Sequence, residues 1–255
     1  MSGLRGTVRR ARHRRLLRRL AGPRLLRAFA DACPDAFFVE IGANDGEQHD
    51  HLRPHILRGD WRGVMVEPVP YVFERLQETY ASVPGVTLEN AAVSDRDGSL
   101  TLHHLAESDD VTLPPWYHAL GTTSRDALLR HAKDIPDVED RIVTTVVPCL
   151  TFSSLCAGHH LRSVDLVVLD TEGHDYEILR ASDLPAWRPR LVVYEHFHLS
   201  PADRASCRAL MEDWGYEMME EGFDTWCLRP VEGDALTRRW RRLRPAVPGV
   251  SVHDD

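Results

Sequence analysis

Residues 37–46 read FFVEIGANDG, and residues 63–68 read GVMVEP. Residues 37–41 are a short apolar run with Glu40 near its end, the pattern of a buried parallel strand. Gly42, Asn44 and Gly46 follow as a turn where backbone must come close to another group. Residues 64–66 form a second apolar run that ends on Glu67. A glycine turn after one strand and an acid at the tip of the next is the logic of nucleoside binding on an open α/β sheet. The turn approaches the ligand and the acid takes the ribose hydroxyls.

The detail selects the nucleoside. A dinucleotide turn has the pattern GxGxxG and leads into a helix that receives a pyrophosphate. Here the order is Glu40-x-Gly42-x-Asn44-x-Gly46. An acid beside the turn repels pyrophosphate and suits a cation. S-adenosylmethionine carries an ammonium and a sulfonium, so it is the expected cofactor. Glycine turns alone follow strands in any α/β protein; Glu40 and Glu67 at matching places give this one its meaning.

The chain of 255 residues suffices for one large α/β domain. Cys33, Cys149, Cys156, Cys207 and Cys227 are odd in number, far apart and without a CxxC pair, which argues against a disulfide framework and a zinc site. A reducing, cytoplasmic compartment is expected. Ten arginines lie between Arg5 and Arg27, and no acid precedes Asp31. Without them the chain holds 21 basic and 39 acidic residues, a net charge of −18. Such a body is a poor surface for nucleic acid. Residues 1–30 are therefore set apart as a basic arm: either a solvated helix with Leu16, Leu17, Leu20 and Leu25 along one side, or an attachment to an anionic inner-membrane face or an acidic partner. Residues 31–230 make the main domain, and residues 231–255 are expected to be a loosely held tail.

Strands are expected at 36–41, 63–66, 86–93, 99–105, 141–147, 164–169 and 191–194, with a closing hairpin from 216–219 and 225–228. The 99–105 run is expected as a hairpin on the parallel sheet. Helices are expected at 69–80, 125–133, 151–156, 174–180 and 201–214, with Pro54 limiting the one after the glycine turn. Residues 106–121, with Trp116 and Tyr117 beside prolines, are expected to be a lid or substrate wall. The alternation predicts a Rossmann-like, doubly wound, mostly parallel sheet of about seven strands with an antiparallel C-terminal hairpin. Ligands on such sheets collect at the carboxyl ends of strands. Those ends here carry Glu40, Glu67, Asn90, Asp170 with Glu172, and Glu195 with His196, a convergence that points to an active site.

The stretches FVEIGANDG, WRGVMVEPVPYVFERL, ENAAVSDRDG, VDLVVLDTEGHDYEIL and VVYEHFHLS resemble the FkbM family of S-adenosylmethionine-dependent methyltransferases, over residues 37–228. The resemblance implies a class I methyltransferase fold and, for most known substrates, O-methylation of sugar, glycan or polyketide hydroxyls. On this footing Glu40 and the turn from Gly42 through Asn44 to Gly46 hold the methionine part, Glu67 the ribose diol, and Asn90 with Ala91 the adenine. Asp170 lies where the methyl group is approached. A hydroxyl needs a base or a metal. His196 is the expected base; Asp170, Glu172 and Glu195 as Mg²⁺ ligands are the alternative. Glu172 also reads as a plain helix N-terminal acid. His51 and His55 read as exposed histidines. A catalytically inactive cofactor-binding or scaffold protein of the same fold is the competing function, and a nicotinamide oxidoreductase is disfavoured by the missing GxGxxG. The acceptor and the oligomeric state are left open by the sequence.

Overall fold

The computed structural model describes residues 20–48, 50–59 and 61–244. The strands are β1 (Phe37–Ile41), β2 (Arg62–Val66), β3 (Val86–Glu89), β4 (Ala92–Ser94), β5 (Gly98–Leu105), β6 (Gly121–Thr122), β7 (Ile142–Thr151), β8 (Leu166–Leu169), β9 (Leu191–Glu195), β10 (Glu217–Glu221) and β11 (Asp224–Leu228). Seven of them form the main sheet in the order β10-β11-β9-β8-β1-β2-β3. Neighbours run parallel except at β11, which is antiparallel to both β9 and β10. This is the class I methyltransferase arrangement expected from the sequence.

Side chains alternate across the strands and so reach two separate cores. Phe38, Met65, Leu166 and Trp226 face helices Ala21–Ala32, Pro70–Tyr80 and Ala235–Leu243, meeting Phe29, Leu76 and Trp240. Val39, Ile41, Val64, Val66, Val167 and Tyr194 face helices Phe152–Gly158, Asp175–Ala181 and Pro201–Asp213, meeting Phe152, Ile178 and Met211. Each large apolar side chain so buried contributes about 1.5–3 kcal/mol. Local chemistry sets the helix ends. The Ser200 hydroxyl accepts from the Asp203 amide at 3.1 Å, with Pro201 opening the helix. Pro54 opens the single turn Arg53–Ile56.

Several expectations change. The run 86–93 is two strands, because Asn90 breaks the ladder. Its side-chain amide donates to the Glu67 and Pro68 carbonyls (2.8 and 3.4 Å), and the chain then leaves the main sheet. The 99–105 run is not a hairpin on that sheet. It pairs antiparallel with β7 along its whole length, in a second sheet ordered β4-β7-β5-β6. Tyr117 is buried and donates to the Ala106 carbonyl at 2.8 Å. With Trp116 it packs against Leu105, Leu128 and Ile135, forming a satellite core instead of an open lid.

Neither terminal segment is loose where it is described. Helix Ala21–Ala32 buries Leu25, Leu26 and Phe29, and the Ala21 and Gly22 amides donate to the Glu221 carboxylate at 2.7 Å each. Helix Ala235–Leu243 buries Leu236, Trp240 and Leu243 against the same core. Leu16, Leu17 and the arginines before residue 20 lie outside the described residues, as does the tail beyond 244. Among the described residues no helix is long and apolar enough to cross a membrane.

Candidate active site

The parallel register brings the tips of β1, β2, β8 and β9 to one edge of the sheet. Gly42 lies at the hinge, its amide donating to the Val66 carbonyl at 2.9 Å. Its φ is +86°, and a Cβ there would lie 1.7 Å from the Asp170 carbonyl oxygen. Only glycine lets the β1 and β8 tips meet so closely. Gly46, at φ +67°, serves packing: a Cβ there would lie 2.5 Å from the Tyr80 ring.

Glu40 is buried, and its Oε2 has no hydrogen-bond partner among the described residues; the same holds for Asn44 Oδ1. Burial, then Asp50 and Asp170, push the Glu40 carboxyl well above the ordinary range. Asn44 has a left-handed backbone, and its amide donates to Glu67 Oε2 at 3.0 Å. The Val69 amide donates to Glu67 Oε1 at 2.9 Å. Burial raises the Glu67 carboxyl to about 7 against the pull of these two amides. The turn and the second tip thus brace each other through one carboxylate.

Asn90 and Ala91 follow the tip of β3. Asn90 spends its amide on backbone carbonyls, so it positions the loop after β2. Ala91 has no exposed surface.

At the β8 and β9 tips two imidazoles, His196 and His198, stand in different surroundings. His196 is 2% exposed; its amide donates to the Phe223 carbonyl and its Nδ1 lies 3.0 Å from Thr225 Oγ1. Thr225 is itself fully buried on β11, so His196 fastens β9 to β11. His198, which the sequence reading passed over, lies beside the two glutamates of these tips. Its Nδ1 lies 3.0 Å from Glu195 Oε2 and 3.1 Å from Glu172 Oε2. The Leu199 amide closes a turn on the His196 carbonyl at 3.3 Å, which carries His198 back beside Glu195. The E-x-x-H spacing was the available signal.

Asp170 faces solvent, yet protein surrounds it closely enough that burial and Asp175 raise its carboxyl to about 7. Glu195 is pushed to about 10 by burial, then Asp170, Asp175 and Asp224, and Glu172 is raised by burial and then Glu195. Asp175, also missed, is fully buried. It accepts from the Thr171 hydroxyl at 2.6 Å and the Glu195 amide at 3.2 Å, holding the two tips together. Asp170 therefore does not join the Glu172–Glu195 pair in the close donor group; His198 does. His51 is exposed, and His55 stacks on Trp61 at 5.4 Å. A cavity of about 360 Å³ lined by Cys156, His160, Arg162 and Trp187 lies where β8 and β9 begin, at the other end of the sheet from these groups.

A family model described as the methyltransferase FkbM domain matches residues 40–218. Among solved structures, methyltransferase FkbM from Methylobacillus flagellatus KT aligns at 12% identity and TM-score 0.48, over 76% of this chain and 44% of that one. A methyltransferase from Geobacter sulfurreducens aligns at 12% identity and TM-score 0.44, over 82% and 78% of the two chains. Fibrillarin from Aeropyrum pernix, solved with natively bound S-adenosyl-L-methionine, aligns at 12% identity and TM-score 0.40, over 76% and 66%. The chain thus spans less than half the length of the Methylobacillus protein. No curated protein matches it. The matched span of 179 residues contains every tip from Glu40 to Glu195, and the chain belongs to the FkbM methyltransferase domain family.

Proposed function

We propose that the protein transfers a methyl group from S-adenosylmethionine to a hydroxyl of a sugar, glycan or polyketide-type acceptor. The observation that carries this is the pair of orphaned buried acceptors, Glu40 Oε2 and Asn44 Oδ1, at a left-handed turn. A buried acceptor without a donor is costly, at roughly 1–3 kcal/mol. An ammonium supplies the donors and the charge together, so the residues present fit the methionine end of the cofactor. Glu67 keeps a second lone pair on each oxygen for the ribose hydroxyls.

The cofactor supplies an activated methyl and a sulfonium leaving group. The chain's own work is alignment and electrostatics. Gly42 lets the Asp170 backbone close the floor. In this reading Asp170, open to solvent beside that floor, takes the acceptor's proton as its oxygen attacks. Asp175 keeps the Glu172 and Glu195 tips in register.

Calorimetry with S-adenosylhomocysteine, followed by mass spectrometry of hydroxylated acceptors incubated with S-adenosylmethionine, tests this. Binding with a product 14 mass units heavier is expected. Binding of NAD in its place, or methyl-donor binding with every acceptor class left unmodified, would overturn the proposal, the latter in favour of an inactive cofactor-binding protein.

A further inference from the structure

We propose that Glu172, Glu195 and His198 bind one divalent first-row transition ion, which holds the acceptor hydroxyl and makes it more acidic. This rests on reading the site as one for hydroxyl methylation.

Three observations converge. First, the donor atoms are already assembled: one nitrogen and two carboxylate oxygens lie within 4.8 Å of one another. The His198 Nδ1 stands 3.1 Å from Glu172 Oε2 and 3.0 Å from Glu195 Oε2. Two adjacent ligands held near 2.1 Å from a shared ion are separated by about 3.0 Å, so little rearrangement is needed. Second, the cluster lacks a cation. Asp170, Asp175 and Asp224 crowd the same two tips, and among the described residues no arginine or lysine pairs with any of the five carboxylates; the His198 imidazole is in contact with two of them. Third, a cavity of about 10 Å³ opens between Glu172, His198, Thr122 and His131, where the second sheet meets the β8 and β9 tips. That is room for about one ion or water.

The donor set chooses the metal. Magnesium prefers oxygen ligands alone, whereas an imidazole with two carboxylates suits manganese, iron, cobalt or zinc. Three protein ligands leave positions open for the acceptor. The hydroxyl oxygen, drawn to the ion, gives up its proton to Asp170. Its lone pair forms the bond to the methyl carbon, and the carbon–sulfur pair stays on sulfur as S-adenosylhomocysteine leaves.

The test titrates the full chain with MnCl₂, with and without S-adenosylhomocysteine, and counts bound ion by electron paramagnetic resonance. One ion per chain with a micromolar Kd is expected. His198→Ala and Glu172→Gln should each weaken it about tenfold or more, while S-adenosylhomocysteine affinity stays within about twofold in the same calorimetric series. Glu172→Gln stands in if the alanine variant does not fold. Absence of manganese binding to the wild-type chain, or binding that survives both substitutions, overturns the site. Failure of S-adenosylhomocysteine to bind strikes the methyl-donor reading instead, and the manganese titration without it still decides the ion.

Discussion

Gly42 and Glu67 do different work at the same turn, and each makes a separate prediction. The Gly42 Cβ position is occupied by the Asp170 carbonyl, which is backbone and cannot swing aside. Its φ of +86° adds the cost of a left-handed residue. Gly42→Ala should therefore lose about 2–4 kcal/mol of stability in denaturant unfolding, since the β1 and β8 tips must separate. A loss below about 0.5 kcal/mol, the range of an ordinary surface change, would contradict that packing. Glu67 is a pH device. Its carboxyl sits at about 7 when folded, against an ordinary value of 4.5, so the folded chain holds this proton more tightly than the unfolded one. The contribution is complete below 4.5 and is lost as pH rises through about 7. Thermal melts at pH 5 and pH 7.5 should show a smaller difference for Glu67→Gln than for the wild-type chain. An unchanged difference would mean that Glu67 does not titrate across this window.

Elements explain what the sequence made legible and what it hid. A buried parallel strand shows itself as an apolar run, and β1, β2, β8 and β9 did so, each with its acid at or just past the tip. Non-local pairing leaves no such trace. The β5–β7 ladder joins segments about forty residues apart, and neither run names its partner. The different surroundings of His196 and His198 were hidden for a related reason. Strand alternation stops at Glu195, and the turn that follows decides which imidazole lies beside the two glutamates. The C-terminal helix was masked by its arginines. Leu236, Trp240 and Leu243 fall at helical spacing, but the charged residues between them read as a solvated tail. Trp240 is fully buried, and its indole donates to Glu217 Oε2 at 2.8 Å. Trp240→Ala should cost about 3–5 kcal/mol in urea unfolding. A loose tail would tolerate the change within about 0.5 kcal/mol.

Across the whole molecule, carboxyl groups are concentrated at the edge of the sheet where a positive ligand would favour their ionised form. The five carboxyls of Asp170, Glu172, Asp175, Glu195 and Asp224 are all raised, each by burial first. A fold does not gather such a group for stability, because desolvating like charges together is unfavourable. A cation bound in the crevice offsets that cost, and the methyl donor differs from its product in this respect. S-adenosylmethionine bears a sulfonium, whereas S-adenosylhomocysteine bears a neutral thioether. Asp170 is the solvent-facing carboxylate at this edge, so replacing it with a neutral isostere should separate the two ligands. Asp170→Asn is expected to weaken S-adenosylmethionine binding about tenfold and S-adenosylhomocysteine binding about twofold or less, because only the former loses a charge–charge term. Competition calorimetry at low and high salt reads this directly. The wild-type preference for the donor should shrink as salt rises, and the variant's should change little. Equal losses for both ligands would place Asp170 against a shared part of the cofactor and remove it from the methyl group's surroundings.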